Sequence, residues 1–230
     1  MEEERRPRFR DRVDAGRQLA EALQPYRSAD TIVLGVPGGG VPVAVEVAKR
    51  LKAPLDVVVT RKITIPGNPE AGYGAVAEDG SIFQNEPLVA QLGLSQRQRE
   101  HDAARVLVEL QRRSALYRGN LPRASLAHRT AIVIDDGLAS GFTMVAAAKS
   151  VEQQGAAGIV VASPVASESA YNLIKPMCDA IVCLVVSRSY RFAVASFYQH
   201  WHDLTDEEVT DFLKSWQAGR TDTRNEDPLP

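Results

Sequence analysis

Cysteine is scarce. Cys178 and Cys183 are the only two in 230 residues, and their C-x4-C spacing has no second half that would complete a metal site. Both read as reduced, buried thiols of a cytoplasmic protein. No apolar run reaches the ~18 residues of a membrane span, and the charged start carries no apolar leader core, so no membrane partner is expected. Charge of one sign is missing too: 27 basic against 29 acidic side chains leave a net charge of -2. Nothing therefore advertises a polyanion, and no nucleic-acid partner is expected. No repeat period is visible. What is present, 44% hydrophobic and 24% charged residues, is the composition of a globular protein long enough for one large core without a second domain.

Residues 1–10, rich in Glu and Arg, read as a flexible tail, as does the polar stretch 219–230. Between them, 11–218 reads as a single domain. A short amphipathic helix spans 11–23. The apolar run 31–36 reads as a strand, broken by Pro37-Gly38-Gly39-Gly40 and followed by a helix up to Leu51. A β-branched strand over 55–60 stops at Arg61-Lys62. A strand-helix-strand unit of this kind implies parallel strands joined by a right-handed crossover, with the glycine loop at the sheet edge where ligands bind in open α/β folds.

Residues 63–128 interrupt the alternation: a loop over 64–74, a hairpin over 75–84 turning at Asp79-Gly80, and a helix over 95–117 capped by Ser95. We read this insertion as a flap over the substrate. The alternation resumes with a strand at 131–134, a helix at 143–154, a strand at 158–163, a helix at 168–175 and a strand at 180–186. The fold class that follows is α/β: an open, mostly parallel, doubly wound sheet of about five strands with an inserted hairpin and helix. Residues 187–204 form an aromatic excursion (Tyr190, Phe192, Phe197, Tyr198, Trp201), either a hood that stacks on a base or a packing cluster. A helix over 205–216 follows, with Thr205 and Glu208 in a capping-box pattern.

The chemistry concentrates at Val133-Ile134-Asp135-Asp136-Gly137-Leu138-Ala139-Ser140-Gly141-Phe142-Thr143. A strand meets two acids, then a small-residue turn, then a helix. The amides of such a turn and of the first helical residues converge on one spot and favour an anion. Ser140 and Thr143 add hydroxyl donors, and the glycines allow close approach. Two carboxylates beside a phosphate cradle would repel the ligand unless they served its hydroxyls, and a vicinal diol offers two donors. The same acids could instead merely end a core strand.

This segment resembles the 5-phosphoribosyl-1-pyrophosphate (PRPP) signature of type I phosphoribosyltransferases. The wider chain is similar to a group of uncharacterised predicted phosphoribosyltransferases. It shares Phe9-Arg10-Asp11-Arg12 with Ala15-Gly16, the loop Pro37 to Ala44, Arg61-Lys62 ahead of Pro66-Gly67-Asn68-Pro69-Glu70, the stretch Gly74-Ala75-Val76, and an aromatic segment near Tyr198 before an acidic helix. The resemblance implies transfer of a 5-phosphoribosyl group from PRPP to a nitrogenous small-molecule acceptor, with release of pyrophosphate. It implies that Asp135 and Asp136 hold the ribose hydroxyls and that Gly137, Leu138, Ala139, Ser140, Gly141, Phe142 and Thr143 bind the 5-phosphate. Pro37, Gly38, Gly39 and Gly40 would bind pyrophosphate, and Arg61 and Lys62 would neutralise it. Mg²⁺ would be held through the ligand, with help from Asp135 and Asp136, and a homodimer is admissible.

One position departs from that pattern: the family's pyrophosphate loop commonly carries Arg after the Pro, and here Gly38 stands there. Charge-assisted bonds of about 1.5–3 kcal/mol are lost with it, although three consecutive glycines could answer with backbone amides. Gly38 therefore also admits a non-catalytic protein that senses PRPP or a nucleotide. A hydrolase of the same ligand, with Asp135 or Asp136 activating water, is a third reading. His200-x-His202 lacks a third metal ligand at a familiar spacing. Arg97, Arg99, Arg105, Arg112 and Arg113 make their helix basic, which reads as a solvated face.

Overall fold

A computed structural model describes residues 8–119 and 122–224. Its centre is a five-stranded, fully parallel sheet of β1 (Thr31–Gly35), β2 (Leu55–Val57), β6 (Thr130–Ile134), β7 (Gly158–Ser167) and β8 (Ala180–Ser187), in the order β2-β1-β6-β7-β8. Every residue of β1 is buried, as the near-continuous apolar run of a strand covered on both faces requires. Alternation divides the core. Ile132 and Ile134 of β6 pack with Leu19, Val43, Val47 and Leu51 of α1 (Arg12–Ala22) and α2 (Gly40–Leu51). Ala131 and Val133 face Met144, Val145 and Val151 of α5 (Phe142–Gln153), with Ile174 of α6 (Glu168–Ile174) beside them. Successive strand residues point to opposite faces, so one short apolar run serves two helical layers.

The expected strand 55–60 is shorter than its β-branched pattern suggests. After Val57 the backbone leaves the parallel sheet, and the Val57 carbonyl is taken by Arg118 instead of a strand partner. The chain then enters an antiparallel sheet of β3 (Thr60–Ile65), β4 (Asn68–Ala77) and β5 (Ile82–Gln84). Arg61 and Lys62 accordingly sit inside β3, opposite Val76 and Ala75, and not at the carboxyl end of a parallel strand. The expected loop at 64–74 is mostly the β3–β4 hairpin, turning at Pro66 and Gly67. The hairpin around Asp79-Gly80 is observed between β4 and β5, followed by α3 (Glu86–Gln91), which sequence reading missed, and α4 (Gln96–Arg118). Ser95 caps α4 through the amide of Gln98.

The base of this insertion is anchored. Arg118, at the end of α4, ion-pairs with Asp56 at 2.9 Å and with Glu78 at 2.6 Å, and Arg123 adds a second cation to Glu78. Tyr73, Leu110 and Tyr117 share one apolar cluster with Val41 of α2 and with Val209 and Leu213 of α7 (Asp206–Arg224). Thr205 and Glu208 cap α7 reciprocally, amide to side chain in both directions, as a capping box does. The helix runs to Arg224, past the expected boundary of a tail at 219. Phe9, placed by sequence in the other tail, is fully buried against Tyr198; residues 1–7 and 225–230 lie outside the described residues. Among the described residues no helix is long and apolar enough to cross a membrane.

Candidate functional site

The twin acids stand where β6 ends. They differ in surroundings. The Asp136 carboxylate accepts from Arg12 Nε at 2.7 Å, its own carbonyl accepts from the Tyr198 hydroxyl at 2.6 Å, and the residue is 8% exposed. Asp135 Oδ1 accepts from the amide of Asp136 at 2.8 Å, and the residue is only partly buried. Burial first, and the neighbouring charge of Asp136 second, hold the Asp135 carboxyl well above the usual carboxylate range. Asp136 is raised by burial, against which Arg12 pulls it down.

The turn after the acids divides into a pinned half and an open half. The Leu138 amide donates to Val165 and the Leu138 carbonyl accepts from Ser167, both at 2.9 Å, while Ser167 Oγ holds the Ala139 carbonyl at 2.7 Å. These contacts exist because β7 continues to Ser167, four residues beyond its expected end. Leu138 thus has a buried side chain and a committed amide. It does not present a donor to a ligand, which corrects its place among the phosphate-binding residues. Gly137 lies against Val194, where a Cβ would overlap that side chain. The Phe142 ring packs on Phe83 with centroids 5.4 Å apart.

Ala139 and Ser140 are exposed. The amides of Ala139, Ser140, Gly141 and Thr143 have no backbone acceptor among the described residues, as expected of a helix start without an acidic cap. Gly141 adopts φ +79° at the N-cap of α5, a conformation in which side chains are strained. The helix dipole adds partial positive charge at the same spot. An exposed arc of donors on a helix start, one turn from a partly exposed carboxyl, matches a phosphate linked to a diol.

The first glycine loop is built differently. Gly40 N donates to the Val36 carbonyl and Val41 N to the Gly38 carbonyl, so part of the loop's donor capacity is spent internally. A Cβ on Gly39 would overlap the Asp136 carboxylate and lie 2.9 Å from Arg12 Nε; one on Gly40 would lie 2.5 Å from the Ile134 carbonyl. These two glycines let α2 start directly against the acid pair. Gly38 is neighboured by Leu204 and Val209, 3.5 Å or more from an added Cβ. Arg61 is ion-paired with Glu109 of α4, and the structure does not bring it to this loop.

The model of the phosphoribosyl transferase domain matches residues 11–194. The chain belongs to the phosphoribosyl transferase domain family. It is 38% identical over 226 residues to "Putative phosphoribosyl transferase Rv0571c" of Mycobacterium tuberculosis strain H37Rv, and equally to its counterpart MT0597 in strain CDC 1551. In both cases 96% of this chain aligns with 51% of the relative, so the chain spans about half the length of these curated relatives. Among solved structures it is similar to TT1426 of Thermus thermophilus, with 42% identity, a TM-score of 0.76, and coverage of 91% of this chain and 99% of that one.

Within this phosphoribosyl transferase domain, Arg12 and Tyr198 are the site residues that sequence reasoning missed. Both lay inside segments quoted for their family likeness, and nothing in their spacing pointed at Asp136. The aromatic excursion packs: Tyr198 and Trp201 have centroids 5.1 Å apart, with Phe9 against Tyr198 at 5.4 Å. His202 pairs with Glu208 at 2.9 Å, and no group of three or more His, Cys, Asp or Glu among the described residues could hold a metal. With Asp136 committed to Arg12, the protein offers Mg²⁺ no cage. The donor set fits this ion only as one carried by substrate oxygens and water, a mode Mg²⁺ commonly adopts.

Proposed function

We propose that the chain binds PRPP with Mg²⁺ and transfers its 5-phosphoribosyl group to a nitrogenous small-molecule acceptor, releasing pyrophosphate. The open arc of amides from Ala139 to Thr143, placed just after the acid pair, carries this reading. The 5-phosphate would take the four free amides with the Ser140 and Thr143 hydroxyls, and Asp135 would accept from a ribose hydroxyl. Breaking the bond at C1 builds positive charge on the ribose and negative charge on the departing pyrophosphate. A carboxylate next to the sugar favours the first, and donors aimed at phosphate oxygens favour the second. Mg²⁺ supplies charge neutralisation on the pyrophosphate when it arrives with the ligand. Family membership and the name of the mycobacterial relatives support transferase chemistry.

A second reading has its own observation. The first glycine loop carries no cation, spends the Gly40 and Val41 amides internally, and leaves Arg61 with Glu109. That arrangement suits a protein that binds PRPP without turning it over. PRPP-dependent pyrophosphate release across a panel of nucleobases separates the two. Release with one base supports transfer; saturable PRPP binding with no release from any base supports the sensor; no binding at millimolar PRPP to folded protein discards both.

A further inference from the structure

Arg12 is the first residue of α1, where the positive end of the helix dipole disfavours a cation. Local helix stability therefore gives no reason for an arginine there. Its contacts do. Nε donates to Asp136 at 2.7 Å, Nη1 donates to the His202 carbonyl at 2.9 Å, and the guanidinium lies 3.9 Å from the Trp201 ring centroid. Stacking on an aromatic face while forming a directional ion pair is a role for Arg more than for Lys. The side chains of Arg12 and Asp136 are 8% and 12% exposed. Gly39 closes the same carboxylate from the side of α2, since any Cβ there would overlap it.

We propose that Arg12 is a positioning residue: it absorbs the charge of Asp136 from the protein interior and leaves Asp135 as the one carboxylate of the pair presented to the sugar. This rests on the PRPP reading above. A lone buried charge is far costlier than a buried pair or a pair of neutral replacements, so Asp136 depends on Arg12 for its place. Through Trp201 and the His202 carbonyl, the same guanidinium ties the start of α1 and the segment before α7 to the end of β6. The acid pair is thereby one buried ion pair and one ligand-facing group, not two equivalent grips.

The test uses five variants of the whole chain: Arg12→Met, Arg12→Lys, Asp136→Asn, Arg12→Met combined with Asp136→Asn, and Asp135→Asn. Each is titrated calorimetrically with PRPP and Mg²⁺ and unfolded thermally without ligand. Arg12→Met should weaken PRPP binding at least about tenfold, a coupling of roughly 1.4 kcal/mol, and Arg12→Lys should recover part of it. The double variant should return to within about threefold of Asp136→Asn, because distant effects add and coupled ones do not. Asp135→Asn should lose the most. The proposal is overturned if Asp136→Asn costs as much as Asp135→Asn while Arg12→Met is silent, or if the double variant binds no better than Arg12→Met. Should Arg12→Met fail to fold, the comparison of Asp136→Asn with the double variant and Asp135→Asn decides. Wild-type protein that gives no heat with PRPP overturns the functional reading and the positioning role together, while the ligand-free unfolding cycle separately reports whether Arg12 and Asp136 are coupled.

Discussion

The loops at 37–40 and 137–143 both leave a parallel strand and enter a helix, and both are rich in glycine, yet only one of them keeps its donors. In the second, β7 pins Leu138 and leaves the amides of Ala139, Ser140, Gly141 and Thr143 open. In the first, Gly39 and Gly40 are small because Asp136 and the Ile134 carbonyl lie against them, and Gly38 sits beside Leu204 and Val209. A glycine that admits a ligand and a glycine that admits another part of the protein look the same in sequence. Their substitution costs should not.

The largest difference is expected at Gly39. A Cβ there meets the Asp136 carboxylate and Arg12, neither of which can retreat from a buried ion pair. Gly39→Ala should cost about 4 kcal/mol or more, read as loss of soluble protein or a large fall in melting temperature. A mild effect would mean that the loop and the acids are not in contact. Next in size is the open loop: Ser140→Ala with Thr143→Val removes two donors to a charged phosphate, at roughly 1.5 kcal/mol each, so PRPP affinity should fall about 100-fold. Thermal stability should stay unchanged, since no contact of either hydroxyl holds the fold together. Equal losses of stability and affinity would make this loop a packing element like the first.

Asp135→Asn sharpens the contrast from the other side. Its carboxyl is raised in the folded state by burial and by Asp136. A group whose folded value lies above its unfolded value makes the fold lose stability as pH rises from the unfolded value to the folded one. At neutral pH the ionised Asp135 is thus a net cost. The Asn variant should melt higher than wild type at pH 7, and the gap should close toward about pH 3, below the ordinary carboxylate value, in ligand-free melts across that range. A variant that melts lower at pH 7 would give Asp135 a structural role. The smallest effect is expected at Gly38, where an added Cβ meets nothing closer than 3.5 Å. Gly38→Ala should change stability by no more than about 0.5 kcal/mol, measured by denaturant unfolding.

The layered fold was legible because β1, β6, β7 and β8 are apolar runs alternating with helical periods, and both rest on local physics. Asp11, Ser95 and the Thr205–Glu208 pair announced helix starts in the same way. The division of β2 from β3 was hidden, since Val57, Val58 and Val59 are β-branched throughout and the cause of the break, Arg118 on the Val57 carbonyl, lies 61 residues away. The signature loop was legible as a donor-rich turn. Which amides remained available was not, because that depends on how far β7 runs. Arg12 was beyond sequence reasoning for the same reason: 124 residues separate it from Asp136, and only the folded chain brings the start of α1 to the end of β6.

The most direct test of the central claim is the amide NMR spectrum of the isotope-labelled protein, recorded as PRPP and Mg²⁺ are added. Saturable shifts at Ala139, Ser140, Gly141 and Thr143, accompanied by Asp135 and exceeding those at Gly39 and Gly40, are the predicted result. An unperturbed 139–143 segment at millimolar PRPP, or changes concentrated at 38–40, would contradict it.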